Sequence, residues 1–515
     1  MSRETSLASV ILVVGAMGCA GRPVRPAPTA GHRPEPIPPV MVAVPPVVPP
    51  TAREIITRIA DSAVASPTWR NARWGMLIVD ATTGDTLFAH DADKLFMPAS
   101  NQKLLTTAIA LQVLGPDYRW KTPIVLQGVQ RGQVFRGDLG VVGRGDPSVS
   151  DAMHTGDAMA AFDPIADALM ARGITRITGD VVSLGDAFVG STTGFGWEID
   201  DNDTPSGAAV DELLFNEGLL HVVVRGAAKA GKKPSAQTTP TTTYPRVLID
   251  ATTRLASDSG ARIEASYDSV AAAIHVTGTI PVGDSVRISM SYRHPGDAYR
   301  SALRERLRSR GIKLDGGSPV KTTAVREDTL TTLESPTLRE VLPMLQKPSQ
   351  NQIAELFFRT AGLVASGSGD ADSARAVSVR TLATFGISNE HAAYRDGSGL
   401  SRHDYVTPRA LVRVLDAMHR APWADLYRSA LPLAGVDGTI ANRMKNSPAA
   451  NNASAKTGTL DKARSLSGYV NSADGHVVIF SMMCNSFTVP NREVERVQDL
   501  LVSTLAGLRI ANSTR

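Results

Sequence analysis

Three short clusters in this 515-residue chain carry groups able to perform nucleophilic chemistry. The first is Ser100-Asn101-Gln102-Lys103, followed by Leu104, Leu105, Ala108, Ile109 and Leu111. That apolar spacing predicts a helix from about Ser100 to Leu114, closed by Gly115 at the C-cap. Positions i and i+3 of a helix share a face, so the Ser100 hydroxyl and the Lys103 amine would be neighbours. A serine hydroxyl is a weak nucleophile until a base takes its proton, and an amine kept neutral by its surroundings can be that base. A helix start also offers free N–H groups that favour nearby negative charge. Alone, the cluster would read as a solvated helix start. A second Ser-x-x-Lys, Ser318-Pro319-Val320-Lys321, has no apolar continuation and reads as chance.

The second cluster is Ser349-Gln350-Asn351, ahead of Gln352-Ile353-Ala354-Glu355-Leu356. Its hydroxyl and carboxamide can relay a proton to a departing amine and hydrogen-bond an amide, although by itself it reads as a helix cap. The third is Lys456-Thr457-Gly458-Thr459. Glycine allows close approach to a strand backbone. The lysine and hydroxyls can bind a carboxylate, and the Thr459 N–H can hold an oxyanion beside the N–H of Ser100.

In this order the clusters resemble the penicillin-recognising serine enzymes, whose signature includes Ser-x-x-Lys and Lys-Thr-Gly. Further residues narrow the resemblance. Asp396-Gly397-Ser398-Gly399-Leu400-Ser401-Arg402 with Thr407-Pro408, Gly145-Asp146-Pro147, Gly179-Asp180-Val181-Val182 and Ser467-Gly468-Tyr469-Val470 are similar to segments of the class C, low-molecular-mass D-alanyl-D-alanine carboxypeptidases. The resemblance runs from about residue 52 to 510. The 245 residues between Lys103 and Ser349 agree with it, because that family inserts two extra domains where class A β-lactamases have a far shorter gap. Glu355 and Glu390, which lie between Ser349 and Lys456, lack the Glu-x-x-Leu-Asn setting of the deacylating base of those β-lactamases. Slow turnover of penicillin is therefore expected.

The resemblance implies acyl transfer on peptidoglycan stem peptides ending in D-Ala-D-Ala. In it Ser100 is the nucleophile and Lys103 the base. Ser349, Asn351 and Lys456 complete the catalytic set, and Thr457, Gly458 and Thr459 shape the carboxylate and oxyanion site. β-Lactams would be covalent inhibitors, and DD-endopeptidase cleavage is also within the family's range. Two other readings compete: a β-lactamase or esterase on the same fold, and a non-catalytic cell-wall binding or sensing protein.

The elements that must position these groups form an α/β (α+β) pattern. A helix at Ala52–Ala65 and strands at 74–80 and 86–90 open the chain. Strands at 454–460, 467–471 and 476–485 and a helix at about 492–508 close it. The two ends can join into one antiparallel sheet flanked by helices, a DD-peptidase/β-lactamase-like domain of residues 52–124 and 338–515. The middle, rich in short Val/Ile strands and Gly/Asp turns, would be two inserted smaller β-rich domains, one from 125–149 and 247–337, the other from 150–246. Helices are expected at 162–171 and 298–310, a loop at 229–244, and a helix capped by Ser335 with Pro336 in its first turn.

Before residue 52 the pattern differs. Leu7–Ala16 is an apolar run after Arg3, too short to span a bilayer but suited to a secretory signal, residues 1–19. Ala16-Met17-Gly18-Cys19 resembles a bacterial lipoprotein signal, with Ala16 where Leu is usual, so Cys19 is a candidate lipid anchor; the alternative is an ordinary cleaved signal. Eleven of the 32 prolines fall in residues 21–50, which makes 20–51 an extended linker. The reading is an exported protein of the bacterial periplasm or cell envelope. Net charge is +4, of which +2 lies before residue 51, weak support for any nucleic-acid partner. Ten histidines without metal spacing and two cysteines imply no metal and no cofactor. His403 adjoins no serine cluster, Asp396 reads as a turn former, Asp200–Asp203 as a solvated acidic loop, and Cys484 as a small core residue.

Overall fold

The computed structural model describes residues 50–257, 260–268, 270–316 and 327–511. The expected signal with Cys19, the linker up to residue 49, and the Ser318–Lys321 copy lie outside the described residues.

The two ends of the chain share one antiparallel sheet. Its order is Ser454–Leu460, Ala463–Asn471, Val477–Asn485, Arg73–Asp80, Thr86–His90. Side chains alternate across a strand, and here both faces are covered, so the central strands are buried almost throughout. Trp74, Met76, Ile78, Phe480 and Met482 face one core, where helices Ala52–Ala65 and Asn491–Gly507 contribute Ile56, Ala60, Leu501 and Leu505. Leu77, Tyr469, Ile479 and Met483 face the other, where helices Gln102–Leu114, Leu338–Gln346, Asn351–Ser366 and Pro408–Arg420 supply Leu104, Leu342, Phe357 and Leu411. The helices carrying the first two clusters therefore lie on the same side of this sheet.

The expected terminal elements agree with the structure to within a residue or two, except that the strand expected at 467–471 begins at Ala463. The first cluster differs in detail: Ala99–Asn101 form a 3-10 turn, and the α-helix begins at Gln102. Ser335 is not the cap of the helix that follows it. Thr337 holds that position, its N–H donating to the Glu340 carboxylate at 2.7 Å, while the Ser335 hydroxyl accepts from the Trp120 N–H at 2.9 Å.

Among the described residues the middle of the chain builds three further sheets. One joins the Lys121–Arg131/Val134–Val142 hairpin to Glu327–Glu334, Arg176–Ile177, Val181–Leu184 and Lys313–Leu314. A second pairs Ser285–Ser291, Leu219–Arg225 and Ser235–Thr239, and a third gathers Arg246–Ile249, Thr252–Arg254, Arg262–Asp268 and Ala273–Pro281. This pairing cuts across the divisions expected at 149/150 and 246/247. Residues 176–184 join the sheet of 121–142, and residues 219–225 pair with 285–291. The segment 229–244, expected as a loop, contains the Ser235–Thr239 strand, where β-branched threonines extend a sheet edge and Thr238 is buried.

Candidate active site

The strand Ser454–Leu460 is at the edge of the central sheet, and its free side meets the turn that carries Ser100. The Asn101 side-chain amide donates to the Lys456 carbonyl at 2.9 Å. The Ser465 hydroxyl, from the neighbouring strand, donates to the Pro98 carbonyl at 2.6 Å. A Cβ at Gly458 would lie 2.1 Å from Ser465 Oγ, 2.4 Å from the Pro98 carbonyl and 3.1 Å from the Ser100 nitrogen. Glycine is required there because the strand is pressed against the serine turn. Ala99 and Ser349 both have positive φ, 48° and 68°, conformations that non-glycine residues seldom adopt and that concentrate at functional sites.

Lys103 is fully buried. Its Nζ lies 3.0 Å from Ser100 Oγ, 2.6 Å from Asn351 Oδ1 and 2.7 Å from the Ser398 carbonyl. Burial lowers its pKa to about 7, against the pull of Asp396, Glu355 and Asp404. The stoichiometry is informative. A neutral amine has two N–H donors and one lone pair, and the two carbonyl-type oxygens consume both donors. The lone pair is then directed at Ser100 Oγ, the geometry a general base needs.

Lys456, also fully buried, donates to Ser349 Oγ at 2.7 Å and to the Thr457 carbonyl at 3.0 Å. Burial, then repulsion from Lys103, holds its pKa well below the usual lysine range. Thr457 Oγ1 donates to Thr439 Oγ1 at 2.7 Å, and Thr459 is exposed at the strand edge. Asn351 is fixed at its other end, where Nδ2 donates to the Ser206 carbonyl of the inserted region at 2.8 Å.

A cavity of about 380 Å³ opens over this constellation, lined among others by Ser100, Ser349, Asn351, Thr459, Ser206 and Glu217. All eight residues expected at the site from sequence thus stand around one point or on the strand beside it. A larger cavity, about 550 Å³ beside Asp80 and His476, contains none of them. Reading the sequence missed the Ser398 carbonyl, Thr439, Ser206 and Glu217. Only Ser398 had a local signal, as part of Asp396–Arg402.

Of the residues set aside in the sequence analysis, Asp396 lies behind Lys103, and the others are elsewhere. His403 packs against Phe195, the rings tilted with centroids 5.1 Å apart, and does not line the Ser100 cavity. Asp203 is not merely solvated, since it pairs with Arg293 at 2.7 Å. Cys484 is buried in the sheet, and burial pushes its thiol pKa up. Among the described residues no group of three or more His, Cys, Asp or Glu side chains could hold a metal.

Comparison with known proteins supports the same assignment. A D-alanyl-D-alanine carboxypeptidase of Actinomadura sp. is 30% identical over 466 residues, covering 87% of this chain and 83% of its own. A D-alanyl-D-alanine carboxypeptidase of Haemophilus influenzae is 26% identical, with 81% and 86% covered. In three dimensions the fold is similar to penicillin binding protein 4 of Haemophilus influenzae, with a TM-score of 0.74 at 22% identity over 87% of this chain and 99% of that one. The D-Ala-D-Ala carboxypeptidase 3 (S13) family matches residues 57–507, nearly all of the described chain, and the protein belongs to that family of serine peptidases.

Proposed function

We propose that the chain removes the terminal D-alanine from peptidoglycan stem peptides through an acyl-enzyme on Ser100. The observation that carries this reading is the buried Lys103 amine, 3.0 Å from Ser100 Oγ, with two carbonyl-type oxygens at 2.6 and 2.7 Å to take the N–H groups of its neutral form. Ser100 Oγ attacks the carbonyl between the two D-alanines while Lys103 takes its proton. The N–H groups of Ser100 and Thr459 receive the oxyanion. As the C–N bond breaks, the Ser349 hydroxyl, backed by Lys456, supplies a proton to the departing amine. Thr457 and Thr459 hold the free carboxylate, and Asn351 orients the peptide. Lys103 passes the proton it took from Ser100 to the Ser349–Lys456 pair and is neutral again when water attacks the ester; it then takes the water's proton and returns it to Ser100 Oγ as the ester C–O bond breaks.

β-Lactams are opened by the same serine and released slowly. Glu355 turns its carboxylate to the Ser398 N–H and does not line the Ser100 cavity, and Glu390 is exposed on a distant turn. Neither is placed to activate water against a penicilloyl ester. Such a substrate puts the enzyme outside the cytoplasmic membrane, in keeping with the secretory signal expected at residues 1–19, in which Cys19 is a candidate lipid anchor. Among the described residues no helix is long and apolar enough to cross a membrane.

The test is release of D-alanine from a D-Ala-D-Ala pentapeptide, with mass spectrometry of the penicillin adduct. Ser100→Ala should abolish both, and the wild-type adduct should map to the peptide containing Ser100. Undiminished labelling of Ser100→Ala would overturn the nucleophile assignment. Rapid destruction of penicillin by wild type would favour the β-lactamase reading.

A further inference from the structure

Asp396 belongs to none of the three clusters, yet its fully buried carboxylate accepts three N–H groups: Gly399 at 2.6 Å, Ser401 at 2.7 Å and the Trp197 indole at 2.8 Å. The Gly399 N–H belongs to the same peptide unit as the Ser398 carbonyl, and that carbonyl receives Lys103 Nζ at 2.7 Å. One planar peptide thus has Asp396 on its N–H and Lys103 on its C=O. The preceding peptide is fixed as well, because the Ser398 N–H donates to Glu355 Oε1 at 2.8 Å and the Gly397 carbonyl accepts from Thr106 Oγ1 at 2.6 Å. Gly399 has φ 80°, and a Cβ there would collide with the Ala99 carbonyl, so this peptide touches the serine turn directly.

We infer that Asp396 is a positioning residue for the catalytic base: it locks the Ser398–Gly399 peptide so that its carbonyl takes one Lys103 donor and leaves the amine lone pair on Ser100. The inference rests on the reading of Lys103 as the base. Trp197 extends the arrangement into the inserted region. Its ring lies beside Val210, Leu214 and Leu356, so part of the hold on the base comes from a segment some two hundred residues away in sequence. A carboxylate suits the post because it accepts at both oxygens, where a carboxamide would turn an N–H against one set of donors.

The titratable groups facing Lys103 are Asp396, Glu355, whose carboxyl burial raises to about 7, Asp404, which burial and Asp396 push well above the usual carboxylate range, and Lys456, which burial holds well below the usual lysine range. Two effects of Asp396 can therefore be separated: orientation of the amine, and the pull of a negative charge on its protonation. Three variants of the full chain separate them, assayed as kcat, KM and pH profile for D-alanine release. Asp396→Asn should lower the plateau kcat by about 10–100-fold with KM little changed, and shift the acidic limb down by about one pH unit. Glu355→Gln keeps an acceptor for the Ser398 N–H, so its limb should move down with the plateau nearly kept. Trp197→Phe changes no charge, so its plateau should fall and its limb stay. If Asp396→Asn does not fold, as judged by its thermal melt, Trp197→Phe decides the matter.

The inference is overturned if plateau kcat in the folded Asp396→Asn variant, or in Trp197→Phe where that variant decides, stays within twofold of wild type, or if the loss appears only in KM. Failure of the underlying reading looks different: wild type would lack the Ser100 adduct, or Lys103→Ala would retain the acidic limb.

Discussion

The edge strand approaches the serine turn closely at Gly458, and this contact makes the most quantitative prediction. Gly458→Ala introduces one methyl group between the edge strand and the serine turn. The new Cβ would start 2.4 Å from the Pro98 carbonyl and 2.1 Å from Ser465 Oγ. Comfortable separation is about 3.5 Å, so the two backbones must part by about 1 Å. Ser465 can rotate aside only by giving up its 2.6 Å bond to Pro98, which is itself part of what seats the turn. Pro98 is two residues from Ser100, and the same strand carries Lys456 and the Thr459 N–H. The displacement therefore opens the distance between nucleophile and oxyanion donors. A misplacement of about 1 Å in a preorganised site costs about 100-fold in rate, and overpacking a tight contact costs about 1–3 kcal/mol in stability. The assay is the second-order rate of acylation by a fluorescent penicillin, with a thermal melt alongside. A folded Gly458→Ala enzyme acylated within threefold of the wild-type rate would refute the claim that this strand and the Ser100 turn form one rigid site.

The remaining predictions are more local. Asn351→Asp puts a carboxylate in place of the Oδ1 that lies 2.6 Å from Lys103, which favours the protonated amine. The base must be neutral to act, so the acidic limb, near pH 7 in the wild type, should rise by about 1–3 units, and activity lost at neutral pH should return in alkali. An unmoved limb in the kcat/KM profile would contradict the base assignment. Thr407→Val removes the buried hydroxyl that accepts the Ala410 N–H at 3.0 Å at the start of helix Pro408–Arg420. Chemical denaturation should show a loss of about 1–2 kcal/mol with unchanged acylation.

How much of this could be seen in the sequence depends on the range of the interaction involved. The end strands and helices carry their signals locally: short continuous apolar runs such as Val477–Asn485, and the capped amphipathic helix after Thr407. The three clusters were legible because each requires particular residue types at fixed short spacing. What stayed hidden depends on pairings made across long stretches of chain. Residues 246–249 pair in parallel with 273–276, and 181–184 with 139–142, and no local pattern announces either partner. Asp396 shows the same limit at the site. Its sequence context gives a turn, as expected, and the turn is real. Nothing nearby in sequence reveals that the peptide it holds points at a lysine on another helix, or that a tryptophan from the insert helps hold it.

Two lysines are buried within one site, and the proposed mechanism gives the Ser100 proton to Lys103; their surroundings fit that division. Burial disfavours charge on both, and each repels a charge on the other. Only Lys103 is backed by carboxylates, namely Asp396, Glu355 and Asp404, and they lift it back to about 7, while Lys456 remains well below the usual range. Charge on both amines is thus disfavoured by burial, and nearby acidic side chains offset that penalty only at Lys103, the amine 3.0 Å from Ser100 Oγ. Lys456 stays free to work with Ser349, 2.7 Å away, on the side where the leaving amine must be protonated. Like groups whose surroundings differ can take different roles at the same pH, and in the proposed mechanism the acidic side chains behind the first lysine bias the direction of proton flow. Neutralising them should bring the two lysines closer in affinity and blur that direction, which is why the pH profile, more than the rate alone, reports on how this site is built.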